Sequence, residues 1–85
     1  MLELRYKKPA IKVLRKMPKN ASQRIRRELQ SLARDPAEYR GDWKPLAGSA
    51  FWRLRVGDWC AICEIQEREL VLLVLKIGSR GDVYK

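Results

Sequence analysis

The pattern of hydrophobic and polar residues changes twice along the chain, from a strand-like spacing to a helical one and back. Residues 2–6 alternate apolar and charged side chains over too short a span for a helix, so they predict a first strand. From Pro9 the apolar residues fall at helical spacing until Pro18 closes the segment, which predicts a short amphipathic helix. The chain is therefore expected to start with a strand and then a helix.

A second helix is predicted directly after the first. Its apolar positions recur at helical spacing and stop at the Asp35-Pro36 pair, which favours a helix end there. Asn20, with Gln23 three residues later, resembles a capping box and predicts the start of this helix. The apolar stripe consists of Ile25, Leu29, Leu32 and Ala33. We expect the two helices to form an antiparallel hairpin.

The second half of the chain predicts strands. Residues 35–50 contain two prolines and two glycines and predict a loop that returns the chain to a sheet. Residues 51–56 and 59–66 alternate around Gly57-Asp58, which predicts a β-hairpin. After a second turn, the almost wholly apolar run of residues 70–77 is typical of a strand covered on both faces.

The strand period of two divides the side chains of the predicted hairpin between two faces. We expect the helices to cover the face that carries Trp52, Leu54 and Trp59. The opposite face is expected to stay open, and it carries Arg53, Arg55, Cys60, Ile62 and Glu64. The predicted fold class is α+β: an N-terminal strand, a two-helix hairpin, then a mainly antiparallel sheet of about three further strands packed on the helices, in one domain of residues 1–85.

The charge of the chain points to a partner. Lys and Arg number 19 against 10 Asp and Glu, and the net charge of +9 predicts a polyanionic or acidic partner. The 46% of hydrophobic residues, with three Trp, indicates a packed core rather than a disordered basic tail. No apolar stretch approaches the roughly 20 residues that cross a bilayer, and no signal sequence opens the chain. We therefore expect a cytoplasmic protein with no membrane partner.

Two kinds of site are disfavoured by the residue types. The chain has no His, the usual general base and the commonest metal ligand, so no metal site is expected. Cys60 and Cys63 have the spacing of a redox motif, but residues three apart on a strand face opposite ways and lie about 10 Å apart. We expect Cys63 to be a small core residue and Cys60 to be a partly exposed thiol.

Cations converge on one phenol at the end of the predicted sheet. Arg53 and Arg55 share a strand face, and Arg80, Tyr84 and Lys85 follow a strand expected to pair nearby. Arginines clamp phosphates, stabilise charge that develops in a transition state and make a nearby tyrosine a better base. The cluster indicates metal-free phosphodiester chemistry, whereas each residue taken alone is equally typical of a solvated or packing role.

The remaining cations and the tryptophans leave two interpretations open. The cations of the predicted helices are spread around both helices, which is typical of a solvated surface or of non-specific attraction to nucleic-acid phosphates. Trp43 and Trp59 either stack on bases or anchor a loop and the core.

The order of elements, with five motifs, resembles the RelE/ParE superfamily of bacterial toxin–antitoxin systems, on the RelE side, over nearly the whole chain. The motifs stand at residues 10–18, 24–36, 45–48, 52–59 and 78–84. The resemblance implies a ribosome-dependent endoribonuclease that cuts messenger RNA at the ribosomal A site. In this reaction the ribose 2′-hydroxyl attacks the adjacent phosphate, and no cofactor takes part.

The resemblance also implies roles for residues and partners. Arg80 is implied as the transition-state arginine, Tyr84 as general base or stacking residue, and Arg55 as a further catalytic residue. The implied RNA-binding residues are Arg53, Arg55, Lys85 and Lys44. The implied partners are a cognate acidic antitoxin that wraps the toxin, messenger RNA with the ribosome, and operator DNA only through the toxin–antitoxin complex.

Two positions depart from the family pattern. Cys60 stands where the family usually has Arg, and Ser79 stands where similar members often have His. Loss of one phosphate-binding cation costs about 2–4 kcal/mol in the transition state, so we expect attenuated activity, and Cys60→Arg on an open face would restore the cation. Two alternatives stay open: a ParE-like toxin that poisons gyrase and has no nuclease activity, and a catalytically impaired RelE homologue that acts only as a partner in antitoxin and DNA complexes.

Overall fold

Two helices and five strands are formed by residues 1–79, the part of the chain that the computed structural model describes. The elements in chain order are β1 (Glu3–Tyr6), α1 (Lys8–Lys16), α2 (Lys19–Arg34), β2 (Asp42–Pro45), β3 (Phe51–Val56), β4 (Trp59–Gln66) and β5 (Val71–Ser79). The predicted α+β class is confirmed. The expectation of a loop throughout residues 35–50 is wrong, because part of this segment forms β2 and raises the number of strands after the helices to four.

The strands form one sheet in the order β1-β5-β4-β3-β2. Strands β1 and β5 are parallel, and the other three pairs are antiparallel. Val56 pairs with Trp59 across the predicted Gly57-Asp58 turn, where Gly57 has a φ of +60° that glycine adopts readily. Strand β5 lies between β1 and β4 inside the sheet, and β1 and β2 are the edges. Leu72 and Val74 of β5 belong to the main core and Leu75 packs in a second cluster, so apolar residues of β5 are covered on both faces as predicted.

Both helices cover one face of the sheet. Helix α1 packs mainly against β5, and α2 packs against β1 and β3. The core between helices and sheet consists of Ala10, Leu14, Met17, Ile25, Leu29, Leu32, Ala33, Leu54, Val56, Ala61, Cys63, Leu72, Val74 and Ile77. Neither helix in residues 1–79 is long and apolar enough to cross a membrane. The opposite face of the sheet, called the outer face below, carries Lys44, Arg53, Arg55, Cys60 and Ile62.

The start of α2 differs from the predicted capping box. Pro18 is the N-cap, and its carbonyl oxygen accepts a hydrogen bond from the Ser22 amide at 2.9 Å. Asn20 therefore lies inside the first turn, and no side chain caps this helix. The reason is that α1 ends at Met17, whose ψ is 160°, and the extended Pro18 that follows, with a ψ of 138°, allows α2 to begin at once.

Strand β2 is held in place by aromatic side chains. Trp43 stacks on Trp52 of β3, with 4.9 Å between ring centroids and 12° between the ring planes. Just before β2, the Tyr39 hydroxyl donates a hydrogen bond to Glu28 of α2 at 2.6 Å. Burial and the Glu28 carboxylate raise the pKa of Tyr39, which keeps this donor protonated. A Cβ at Gly41 would overlap the Tyr39 ring, so a larger residue there would displace this ring from its hydrogen bond to Glu28.

Candidate functional site

Strand β3 places two arginines of the candidate site on the outer face. Leu54 and Val56 alternate with them and are buried in the core under the helices. Arg53 and Arg55 therefore extend to the other side of the sheet, where both are half-buried. The predicted assignment of these residues to the two faces is confirmed.

Strand β2 adds a third cation to this face. Lys44 lies directly opposite Arg53 in the antiparallel register, and Lys44 is exposed. Side chains directly opposite each other have Cβ atoms roughly 4.5–5.5 Å apart. Three of the residues predicted to bind RNA, Lys44, Arg53 and Arg55, are thus brought together.

Strand β2 also adds a carboxylate that the sequence did not single out. Asp42 lies opposite Arg55 in the register and accepts a hydrogen bond at Oδ1 from Arg53 Nη2, as an ion pair. The segment was expected to be a loop, so no register existed from which to place Asp42 on the arginine face. The one sequence signal is the Asp42, Lys44 spacing of two, which matches Arg53 and Arg55.

On its other side, the arginine strand borders buried apolar residues. Arg55 pairs with Cys60 and Arg53 with Ile62, whose side chains are 1% and 5% exposed. Both pack with Leu46 and Leu75 in a second, smaller apolar cluster on the outer face. The expectations of a partly exposed Cys60 and of a fully open face are therefore wrong. Central strands carry apolar residues on both faces, and their neighbours cover Cys60.

The two cysteines lie on opposite faces of β4, as predicted. Both are free thiols, and Cys63 belongs to the core beneath the helices while Cys60 belongs to the outer cluster. Burial raises the pKa of the Cys63 thiol to about 12. Cys63 is therefore a small core residue and stays protonated in the folded protein.

The burial of Cys63 predicts a loss of stability in alkaline solution. An unfolded thiol loses its proton near pH 9, whereas the folded thiol keeps it to about pH 12, so the unfolded state binds fewer protons between these values. The stabilisation is complete below pH 9 and falls by up to about 1.4 kcal/mol per pH unit above it. Urea unfolding between pH 7 and 10, below the range in which the raised pKa of Tyr39 contributes, should show this decline, and Cys63→Ala should make it shallower. An equally steep decline in Cys63→Ala would contradict the assignment to this thiol.

Three of the predicted site residues, Arg80, Tyr84 and Lys85, lie outside the described residues. Strand β5 leads towards them, with Gly78 opposite Cys60 and Ser79 opposite Trp59. The outer cluster thus adjoins the end of β5 through Cys60, and the arginine strand β3 lies one strand further away, beyond β4. Within residues 1–79 no group of three or more carboxylate or cysteine side chains is arranged to hold a metal ion.

The five-stranded sheet backed by two helices is shared with RelE toxins of known structure. A family model described as the ParE toxin of type II toxin–antitoxin systems, parDE, matches residues 4–84, so the chain belongs to this family. It is accordingly a toxin of a type II toxin–antitoxin system with the RelE/ParE fold. A search of curated proteins found no match.

Several solved structures share the fold. A chain of the archaeal RelE–RelB complex from Pyrococcus horikoshii OT3 has a TM-score of 0.81 at 24% identity, covering 96% of this chain and 98% of that one. The RelBE2 toxin–antitoxin complex from Mycobacterium tuberculosis has a TM-score of 0.79 at 20% identity, covering 93% and 98%. The intact RelBE complex from E. coli has a TM-score of 0.78 at 15% identity, covering 93% and 96%.

Proposed function

We propose that this toxin is a RelE-type endoribonuclease that cuts messenger RNA in the ribosomal A site. The observation that carries the proposal is the convergence of Lys44, Arg53 and Arg55 on one face of the sheet. Such a surface binds the phosphates of RNA, since cations at fixed positions release counterions from the backbone and hold it in register.

The proposed reaction needs a base, an acid and a place for negative charge. The ribose 2′-hydroxyl gives up its proton to the base and attacks the adjacent phosphorus, the bond to the 5′-oxygen breaks, and that oxygen takes up a proton from water, which serves as the acid. Tyr84 is proposed as the base, while Arg55 and Arg80 stabilise the charge that develops on the phosphate oxygens. Arg53, Lys44 and Lys85 bind the flanking phosphates. The reaction uses no metal or other cofactor.

The proposed partners follow from charge and from the relatives. The net charge of +9 favours a cognate acidic antitoxin, and the three solved structures described above are RelE complexes with RelB. Messenger RNA on the ribosome is the proposed substrate, which places the activity in the cytoplasm. Operator DNA is proposed as a partner only of the toxin–antitoxin complex.

A second candidate function is gyrase poisoning by binding, as in ParE-like toxins. It is favoured by the ParE description of the matching family model and by Cys60, which stands where RelE-type members usually have Arg. A catalytically impaired homologue that acts only within an antitoxin complex is the remaining alternative, and Cys60 favours it too.

Primer extension on messenger RNA from cells that express the toxin separates these functions. The proposed endoribonuclease leaves cuts within codons, and only on translated messages. A gyrase poison leaves messages intact and instead produces linear DNA when added to gyrase and a supercoiled plasmid. Neither cut messages nor linear DNA, at an expression level that a blot confirms, is the result expected of an impaired homologue.

A further inference from the structure

The ion pair between Asp42 and Arg53 is partly shielded from solvent. The side chain of Arg53 is 19% exposed and that of Asp42 is 37% exposed. A second ion pair on the outer face, between Glu3 and Arg5, is 61% exposed on both sides. Exposed pairs of this kind contribute little to holding a side chain in place, whereas a shielded pair is less screened by water and salt. Arg53 is therefore held more firmly by Asp42 than Arg5 is held by Glu3.

Asp42 is a neighbour of both arginines of β3. Asp42 pairs with Arg55 in the register, and its oxygen binds Arg53 on the diagonal. Diagonal neighbours on an antiparallel pair are within reach of long side chains. One acidic residue thus faces both cations that are proposed to contact RNA.

The position of Asp42 in the edge strand β2 is also fixed by a contact of its neighbour. The next residue, Trp43, extends to the opposite face and stacks on Trp52 at 4.9 Å. This contact fixes the register of β2 on β3, and with it the position of the carboxylate. An exposed edge strand without such an anchor would not hold a side chain within a fraction of an ångström.

We infer that Asp42 is a positioning residue of the candidate site, which orients the guanidinium of Arg53 for a phosphate of the RNA. This inference rests on the proposed nuclease function. A guanidinium is planar and carries five N–H donors, so a carboxylate that fixes one of its nitrogens sets the plane in which the others donate. Lys44 has no comparable fork and contributes a point charge.

Asp42 is expected to have two opposing effects on the reaction. Its negative charge repels the phosphates and weakens RNA binding, while its hydrogen bond to Arg53 favours the transition state. Removing the side chain should therefore lower kcat without raising KM. If Asp42 served only to reduce the positive charge, its removal would lower KM and leave kcat unchanged.

The test compares Asp42→Ala, Asp42→Asn and the matched control Glu3→Ala in cleavage of messenger RNA on programmed ribosomes. For Asp42→Ala we expect kcat to fall by about ten- to a hundredfold, less than the hundred- to thousandfold of losing a donor outright, with KM unchanged or about threefold lower. Asp42→Asn keeps an oxygen that accepts the hydrogen bond, so its kcat should return to within about threefold of the wild type. Glu3→Ala should match the wild type in both constants.

Each outcome of this experiment decides the inference. An unchanged kcat in Asp42→Ala overturns it and leaves the nuclease proposal standing, as does a fall in kcat with a raised KM that Asp42→Asn does not rescue. A wild-type toxin that cleaves no message overturns the nuclease proposal and this inference together. Should Asp42→Ala fail to fold by circular dichroism, Asp42→Ser takes its place with the same expected split.

Discussion

Replacing Arg55 with alanine is expected to lower the rate of messenger RNA cleavage by about a hundred- to a thousandfold. Arg55 is half-buried on the outer face, opposite Asp42 on one side and Cys60 on the other. Its guanidinium is proposed to stabilise charge on the phosphate, and loss of one such donor costs about 2.7–4 kcal/mol of transition-state stabilisation. Packing of β3 depends on Leu54 and Val56 instead, so the fold should persist.

The matched control for this prediction is Arg5→Ala. Arg5 is an exposed arginine on the outer face of β1, the edge strand furthest from the site. Its removal lowers the net charge by the same amount, so it reports the effect of long-range attraction alone. Single-turnover cleavage on ribosomes, with thermal unfolding of each variant, makes the comparison. Equal losses of rate in Arg55→Ala and Arg5→Ala would show that only total charge matters.

Replacing Cys60 with arginine is expected to destabilise the toxin. Cys60 is 1% exposed and packs with Ile62, Leu46 and Leu75, so the longer side chain must displace at least one of them. Overpacking of this kind typically costs about 1–3 kcal/mol, and the new charge lies opposite Arg55. In a domain of this size the melting temperature should fall by roughly 4–8 °C for each kcal/mol. The sequence pattern, which favoured an open face, predicted that Cys60→Arg would restore a phosphate-binding cation. Because Cys60 is buried, we expect this substitution to lower stability instead.

A small apolar replacement serves as the comparison for Cys60→Arg. Cys60→Val keeps the cluster apolar and close in volume, so its melting temperature should stay within a few degrees of the wild type. Differential scanning calorimetry on both variants measures the difference. A Cys60→Arg protein that melts with the wild type would show that the outer cluster opens without cost.

The β3–β4 hairpin could be predicted from the sequence because one strong signal fixed both its turn and its register. Gly57-Asp58 separates two alternating segments, and the alternation then assigns Arg53 and Arg55 to one face. Once a turn is placed, every cross-strand neighbour follows from the period of two. The arginine half of the candidate site was predictable for this reason.

Strand β2 could not be predicted in the same way. It is four residues long, includes Pro45 and pairs with a neighbour on one side only, so it lacks the apolar alternation of a central strand. Its position comes from tertiary contacts, above all the stack of Trp43 on Trp52. For this reason the sequence did not predict that Asp42 belongs to the candidate site.

The burial of Cys60 was unpredictable for a different reason. Alternation says which face a side chain is on, but it does not say whether that face is covered. The cover comes from Leu46, which lies just beyond β2, and from Leu75, which lies beside the irregularity in the pairing of β4 with β5. Neither contact can be read from the alternation of apolar and polar residues along β4.

The central place of β5 in the sheet has a consequence for synthesis of the toxin. β1 has no partner in the sheet until residues 71–79 leave the ribosome, and α1 lacks the strand against which it mainly packs. Pairing of Glu3 with Val71 closes a long loop, and such non-local pairing is a slow step that requires the segment between the two strands to be made first. A nascent chain that stops at β4 therefore lacks both the partner of β1 and the strand against which α1 mainly packs, so it cannot form the complete sheet.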